Sequence, residues 1–472
     1  MPHSKLEKNL NTLDVLSVAF GAMIGWGWVV MSGEWITKAG TFGAVLAFIL
    51  GGIMVLFVGK VYAELTSAMP RNGGCQEFSK RAFGKKTSFI CTWSMILGYI
   101  AVIAFEAVAF PSVLQYLFPG YVKGYMYTVN GSDIYATWVL AGVISSLSVA
   151  AVNYFGTKNA ALLQTVCTFI IAAVGLALMG GSAVNGSMAN IDAPVVNGAA
   201  GIITVAVMTP FMLMGFDVIP QAAGEMNIPY KKIGKLLVLS VVMAIFWYAM
   251  IIFGVSLSMT SSELAVSGMA SADAMQKAYM GSAIASKVLI LGGICGIITS
   301  WNSFYVGCSH AICAMAEEGM LPLFLAKKHK KYGTPVNAIL LIAAVTSLAP
   351  FLGENMLTWL SNAGAFAIVI AYFIVSASFL KLRKKEPYMA RPYKVKYGVF
   401  TGIAAEASCG IMLLMYVPGA PAAMSVYEWS IVLMWMALGV VFYMAAVKKQ
   451  KEGVVYRTKR LMVKQAVFMG MK

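Results

Sequence analysis

Solidly apolar segments of about 20 residues, nearly free of charge, recur between residues 14 and 447. A segment of that length crosses a hydrocarbon layer of about 30 Å as one helix. Inside lipid every backbone amide and carbonyl must find a partner within the protein, so only helices and closed β-barrels span it. A barrel strand alternates apolar and polar residues, and these segments do not. The sequence therefore predicts an all-α integral membrane protein, and its composition agrees, with 60% hydrophobic and 11% charged residues.

Twelve spans are expected, at 14–37, 41–68, 87–117, 135–153, 158–181, 199–222, 235–258, 286–316, 336–352, 356–380, 397–418 and 427–447. No linker or composition shift marks a soluble domain, so residues 1–472 read as one membrane domain. Its parts are a first five-helix repeat at 14–181, a second at 199–380, helices 11 and 12 at 397–447, and a tail at 448–472. The net charge of +16 raises nucleic acid as a partner, but the basic residues cluster in the short segments between spans, where they set topology. With the N-terminus in the cytoplasm, all but Lys38, Lys123, Lys277 and Lys287 of the 35 lysines and arginines fall on the inner side. Both termini are thus expected to be cytoplasmic, in a multi-pass protein of the cell membrane. The seven cysteines avoid the outer segments, so no structural disulfide is expected. Cys308 and Cys313, near His310 in span 8, match no usual metal-site spacing and read as packing residues. The N-terminal apolar run has no small-residue cleavage site, so no cleaved signal peptide is expected.

Two spans carry helix-breaking residues in corresponding places. Span 1 holds Gly21, Gly25, Gly27 and Gly33, and span 6 reads PFMLMGFDVIP, with Pro210 and Pro220 bracketing Gly215 and Asp217. Proline removes a helix donor, and glycine eases departure from helical geometry. Glycine also lets membrane helices pack closely, but the matched positions and the acid in span 6 favour a binding site. Five spans per half, an odd number, turn the second half upside down, which lets broken helices meet near the midplane. A broken helix exposes carbonyls at the end of its first part and amides at the start of its second. In span 1 the carbonyls lie around Gly21 to Met23 and the amides around Gly25 to Gly27, an arrangement that matches a zwitterionic amino acid.

Glu106 in span 3 and Asp217 in span 6 sit at mid-membrane depth. A charge there costs roughly 2.5–3.5 kcal/mol, so each needs a partner or a proton. Either is a candidate for binding or coupling, because a carboxyl group withdrawn from water holds its proton more readily. Asp217 has a structural alternative as a cap on the broken helix, and Glu106 as a neutral acid bonded to a neighbour. In span 8, Thr299, Ser300, Asn302 and Ser303 carry hydroxyls and an amide, and hydroxyls in membrane helices commonly bond their own backbone. Trp301, Phe304, Phe216 and Trp93 are candidate wall residues, Asn362 and Gly364 mark a possible bend in span 10, and His310 reads as packing.

Several motifs in order resemble the amino acid-polyamine-organocation superfamily of permeases, over about residues 10–450. They are GAMIGWG in span 1, MPRNGGCQEFSKRAFGKK after span 2, NYFGTKNAALLQT at span 5, GFDVIPQAAGEMNIPYKKIGK from span 6, and AMAEEGMLPLFLAKKHKKYGTPVNA between spans 8 and 9. The resemblance implies a leucine-transporter-type fold, a 5+5 inverted repeat with two additional C-terminal helices. It also implies a secondary active transporter that moves an amino acid by alternating access, coupled to protons or by exchange; sodium-coupled relatives of this fold hold the ion with span 8 hydroxyls, here Thr299, Ser300 and Ser303, and sodium ranks behind the proton. By position it maps substrate contacts onto Ala22, Met23, Gly25, Trp26 and Gly27 and onto Phe211, Gly215, Phe216 and Asp217. Three departures stand out. Trp26 replaces a small residue between the glycines; span 5 has Lys158 at its inner end and no lysine in its middle; and Glu317 and Glu318 stand where many members have an arginine-acid pair.

An organic amine, such as a polyamine or an ethanolamine-like cation, ranks second as substrate because both buried acids suit an ammonium. A non-transporting amino acid sensor is the alternative of another class. An enzyme is not expected, since the three histidines leave few general bases and no H-E-x-x-H or G-x-S-x-G occurs. No cofactor, metal or nucleic acid is implied; the expected partners are substrate, proton and lipid bilayer.

Overall fold

A computed structural model describes residues 11–156, 160–221, 223 and 226–468, with side chains through 448 except at 160–162. Among the described residues nine helices are long and apolar enough to cross a membrane. They are spans 2 (Thr41–Ala68), 3 (Lys85–Leu117), 4 (Ala136–Phe155), 5 (Ala160–Asn185), 7 (Tyr230–Ser258), 8 (Ala283–Glu317), 10 (Asn355–Lys385), 11 (Gly398–Met415) and 12 (Val426–Phe468). The other three expected spans are interrupted. Span 1 is divided into Thr12–Met23, Gly27–Val30 and Ser32–Ala39, and span 6 into Gly198–Ala206, Thr209–Met212 and Val218–Gln221. Span 9, Val336–Thr346, gives way to a 3-10 turn at Ala349–Leu352.

The fold is an all-α membrane fold, and the one small sheet among the described residues lies between spans 3 and 4. There Tyr125–Val129 pairs antiparallel with Ser132–Tyr135, through a turn at Asn130 and Gly131 with φ of 46° and 81°. Positive φ at both turn residues suits Asn-Gly, whose backbone twist matches that of paired strands. The tail expected after residue 447 begins as a continuation of the span 12 helix, which runs to Phe468.

Broken span 1 packs among spans 5, 7 and 8. Span 7 lies along span 2, and span 10 along span 3. Span 12 docks on span 3 through a reciprocal tryptophan pair: Trp93 Nε1 donates to the Trp435 carbonyl at 2.9 Å, and Trp435 Nε1 to that of Trp93 at 3.0 Å. The indoles stack with centroids 4.4 Å apart, so Trp93 belongs to this joint.

At the basic end of the bundle, the short helix Cys75–Phe83 sits between span 2 and span 3. Lys80 pairs with Glu318 at 2.6 Å, Lys328 with Glu317 at 2.8 Å, and Arg81 holds Glu386 through two hydrogen bonds. Glu64, fully buried in span 2, receives Arg383 and Arg391, together with the amide of Val395 at 2.8 Å. A buried carboxylate is tolerated when charged partners and hydrogen bonds surround it. Asn362 does not turn toward a central bend; its amide donates to Glu428 of span 12 at 2.6 Å.

Candidate functional site

The glycines of span 1 end its first helix at Met23, and Ile24 leaves helical geometry with φ −111° and ψ 74°. In span 6 the helix stops at Met212 and resumes at Val218. Between them Gly215 adopts φ +135°, a conformation that side-chain-bearing residues rarely take. A Cβ on Gly215 would lie 2.8 Å from Met23 N and 2.9 Å from Ala22 C, so the two breaks touch through backbone.

The exposed polar groups of the two breaks find partners of different origin. Asp217 Oδ1 accepts from Gly215 N at 2.8 Å, and its Oδ2 accepts from the Tyr99 hydroxyl at 3.0 Å. Asp217 therefore caps its own break. In span 1, the Tyr248 hydroxyl of span 7 donates to the Met23 carbonyl at 2.8 Å, and the Thr299 hydroxyl of span 8 donates to that of Gly21 at 3.0 Å. On the amide side, Trp26 N donates to Glu106 Oε1 of span 3 at 3.4 Å.

These groups surround a cavity of about 20 Å³, roughly the room one water needs. Span 1 contributes Ala22, Met23, Gly25 and Gly27, and span 6 contributes Phe211 and Met212. Val102, Phe105 and Glu106 come from span 3, Tyr248 from span 7, and Ser300 and Phe304 from span 8. Glu106 is 1% exposed, and its Oε2 has no hydrogen-bond partner. It lies so close over Gly25 that a Cβ there would overlap Oε1, while the Ser300 hydroxyl would stand 3.0 Å away. The arrangement joins one acid, two hydroxyls and span 1 backbone inside an apolar wall.

Of the residues expected at the site, Ala22, Met23, Gly25, Gly27, Glu106, Phe211, Ser300 and Phe304 line the cavity. Gly215, Phe216, Asp217, Trp26 and Trp301 do not. Phe216 packs edge-on against Tyr62, at a centroid distance of 5.6 Å. The Trp26 indole turns to span 8, where a Cβ on Gly293 would collide with it; glycine there makes room for the ring. Ser303 accepts from Gln164 Nε2 of span 5 at 3.2 Å, and the same nitrogen donates to the Thr299 carbonyl at 3.3 Å. His310 Nδ1 is 2.8 Å from the carbonyl of Val306 on its own helix. Lys158 lies outside the described residues.

Sequence reasoning missed Tyr248, Met212, Phe105 and Val102 in the lining, and Gln164 beside it. Tyr248 and Gln164 left a signal, a polar tip inside an otherwise apolar run. The apolar three left none, because nothing local separates a wall residue from its lipid-facing neighbours.

The chain matches the family described as Amino acid permease over residues 14–454. Among curated proteins it is 23% identical over 465 residues to the branched-chain amino acid permease BcaP of Bacillus subtilis (strain 168), covering 95% of this chain and 94% of that protein. It is 24% identical over 446 residues to the methylthioribose transporter of the same organism, covering 93% of each. To its aspartate-proton symporter the chain is 26% identical over 421 residues, covering 83% of this chain and 76% of that protein.

Proposed function

This chain belongs to the amino acid permease family, and from that premise we propose that its substrate passes through the cavity between the broken helices of spans 1 and 6. It is a multi-pass membrane transporter of amino acids and not an enzyme. The observation that carries the proposed site is the meeting of the two breaks, Gly215 against Ala22 and Met23, beside a cavity lined by Glu106, whose Oε2 has no hydrogen-bond partner. The substrate carboxylate binds the span 1 amides from Gly25 to Gly27, and Phe211, Met212, Phe105 and Phe304 receive the side chain. At about 20 Å³ the cavity is too small for an amino acid, so loading requires spans 1 and 6 to move apart, as alternating access does.

The proton is the coupling ion in this reading, and Glu106 is the group that carries it. Two observations favour it over sodium. The hydroxyls of Thr299 and Ser303 are engaged with Gly21 and Gln164, and Glu106 is the one acid in the cavity wall. The relation to an aspartate-proton symporter points the same way. The basic end that holds Lys80, Arg81 and Arg383 faces the cytoplasm of the cell membrane, with both termini on that side.

Uptake into proteoliposomes tests the proposal, with labelled L-leucine, L-serine, L-histidine, L-lysine and L-aspartate under an inward proton gradient or a sodium gradient. The expected result is saturable uptake of one or more of them, driven by protons and abolished in Gly25→Val. Uptake by sodium alone, or unchanged uptake in a folded Gly25→Val protein, removes the proposal.

A further inference from the structure

The amide at the second part of span 1 already meets an anion from the protein itself. Glu106 lines the cavity; its Oε1 accepts from Trp26 N at 3.4 Å and covers Gly25, while Oε2 has no hydrogen-bond partner in a residue only 1% exposed. The contact crosses from span 3 to span 1, so a turn of the Glu106 side chain breaks it with no change of backbone.

We infer that Glu106 is a tethered competitor whose carboxylate and the substrate's carboxylate take the span 1 amide in turn. This rests on the reading that the cavity between the breaks is the substrate site. Two carboxylates within hydrogen-bond distance of one donor cannot both stay ionised, so one must take a proton. The titratable and polar side chains around Glu106 are few. Ser300 of span 8 and Tyr248 of span 7 share the cavity wall; Phe211 and Met212 of span 6 carry no titratable group; span 1 offers only backbone. Asp217 is turned to Gly215 N and Tyr99, outside the wall, and no lysine, arginine or histidine lines the cavity. No neighbouring side chain there supplies a positive charge, and the substrate's own ammonium is already balanced by the substrate's carboxylate, so a displaced Glu106 carboxylate has neither a cation nor its amide. The proton comes from water as the cavity opens, and it converts the Glu106 carboxylate to the neutral acid as the substrate displaces it. A zwitterion has no net charge, so the loaded site differs from the unloaded one by one proton. Binding one amino acid takes up one proton.

The test is ligand binding to the purified full-length protein between pH 6 and 9. The probes are L-leucine, L-serine, L-histidine and L-lysine, each paired with its carboxylate-free amine: isoamylamine, ethanolamine, histamine and cadaverine. For the amino acid that binds, wild-type Kd is expected to rise about tenfold per pH unit at the upper end of the range, the slope of one linked proton. Titrations in buffers of different ionisation heat should show one proton taken up per ligand, and no such uptake with the amines. Glu106→Gln should bind the amino acid more tightly than wild type at pH 9, about tenfold, with no pH slope. Glu106→Asp, one methylene too short to hold the amide, should also bind more tightly at pH 9; it carries the test if the Gln variant does not fold. Weaker binding in both variants at every pH would make Glu106 a direct ligand of the substrate and overturn the inference, as would an unchanged pH slope in Glu106→Gln. Gly25→Val separates the two readings. If it abolishes binding while the Glu106 variants bind weakly, only the competitor fails; if it leaves binding intact, or if no probe binds any of these proteins, the site itself falls.

Discussion

In span 6 the break is closed from within, as Asp217 Oδ1 caps Gly215 N two residues away and Tyr99 holds the other oxygen. In span 1 the break is closed from outside, by Glu106 of span 3, Tyr248 of span 7 and Thr299 of span 8. A cap within the break moves with it and stays satisfied. Partners borrowed from three other helices are lost or exchanged when those helices shift. Under the proposed site, span 6 keeps its cap as the helices move, while span 1 is the part whose hydrogen bonds a ligand would take over.

Gly215→Ala breaks that comparison most severely. A methyl group there meets the Met23 and Ala22 backbone within 3 Å at φ +135°, so no side-chain adjustment relieves it. Strain of this kind costs about 1–3 kcal/mol; uptake should be lost, and the melting temperature should fall. Asp217→Ala comes next, since it leaves the buried Gly215 amide without an acceptor, a loss of about 1–3 kcal/mol, whereas Asp217→Asn keeps an acceptor and should recover much of it. Thermal unfolding measures both. The pH slope of binding should survive in Asp217→Asn, and its disappearance there would undo the division of labour between the two acids. Tyr248→Phe should cost about 0.5–1.5 kcal/mol by freeing the Met23 carbonyl, with substrate affinity reduced severalfold in the same binding assay. The smallest effect belongs to Trp26→Phe, because the ring packs against Gly293 and not in the cavity; the order of preferred substrates in uptake should not change.

The breaks themselves were legible because their causes are local. Gly25, Gly27, Pro210 and Gly215 each weaken a helix where they stand, and Asp217 is as close to Gly215 in sequence as in space. Glu106 drew attention as an acid at membrane depth, but its partner, the Trp26 amide, lies 80 residues away. Trp26 stands out in the sequence because it replaces a small residue between two glycines. The fold makes room for its ring through Gly293, whose pairing with the indole spans helices 1 and 8 and has no trace in either segment. The hairpin after span 3 was missed for the opposite reason. Asn130-Gly131 is a strong turn signal, but the strands beside it are only five and four residues long and mostly exposed, so no alternation of burial marks them.

By itself the sequence determined that this chain lies in a membrane and where two helices open. Lipid offers no hydrogen bonds, so apolar length and helix-breaking residues leave little choice. Which groups close each opening was decided only by the tertiary structure. A side chain's direction depends on the helix that packs against it, and only the assembled bundle brings span 3, span 7 and span 8 to the same turn of span 1.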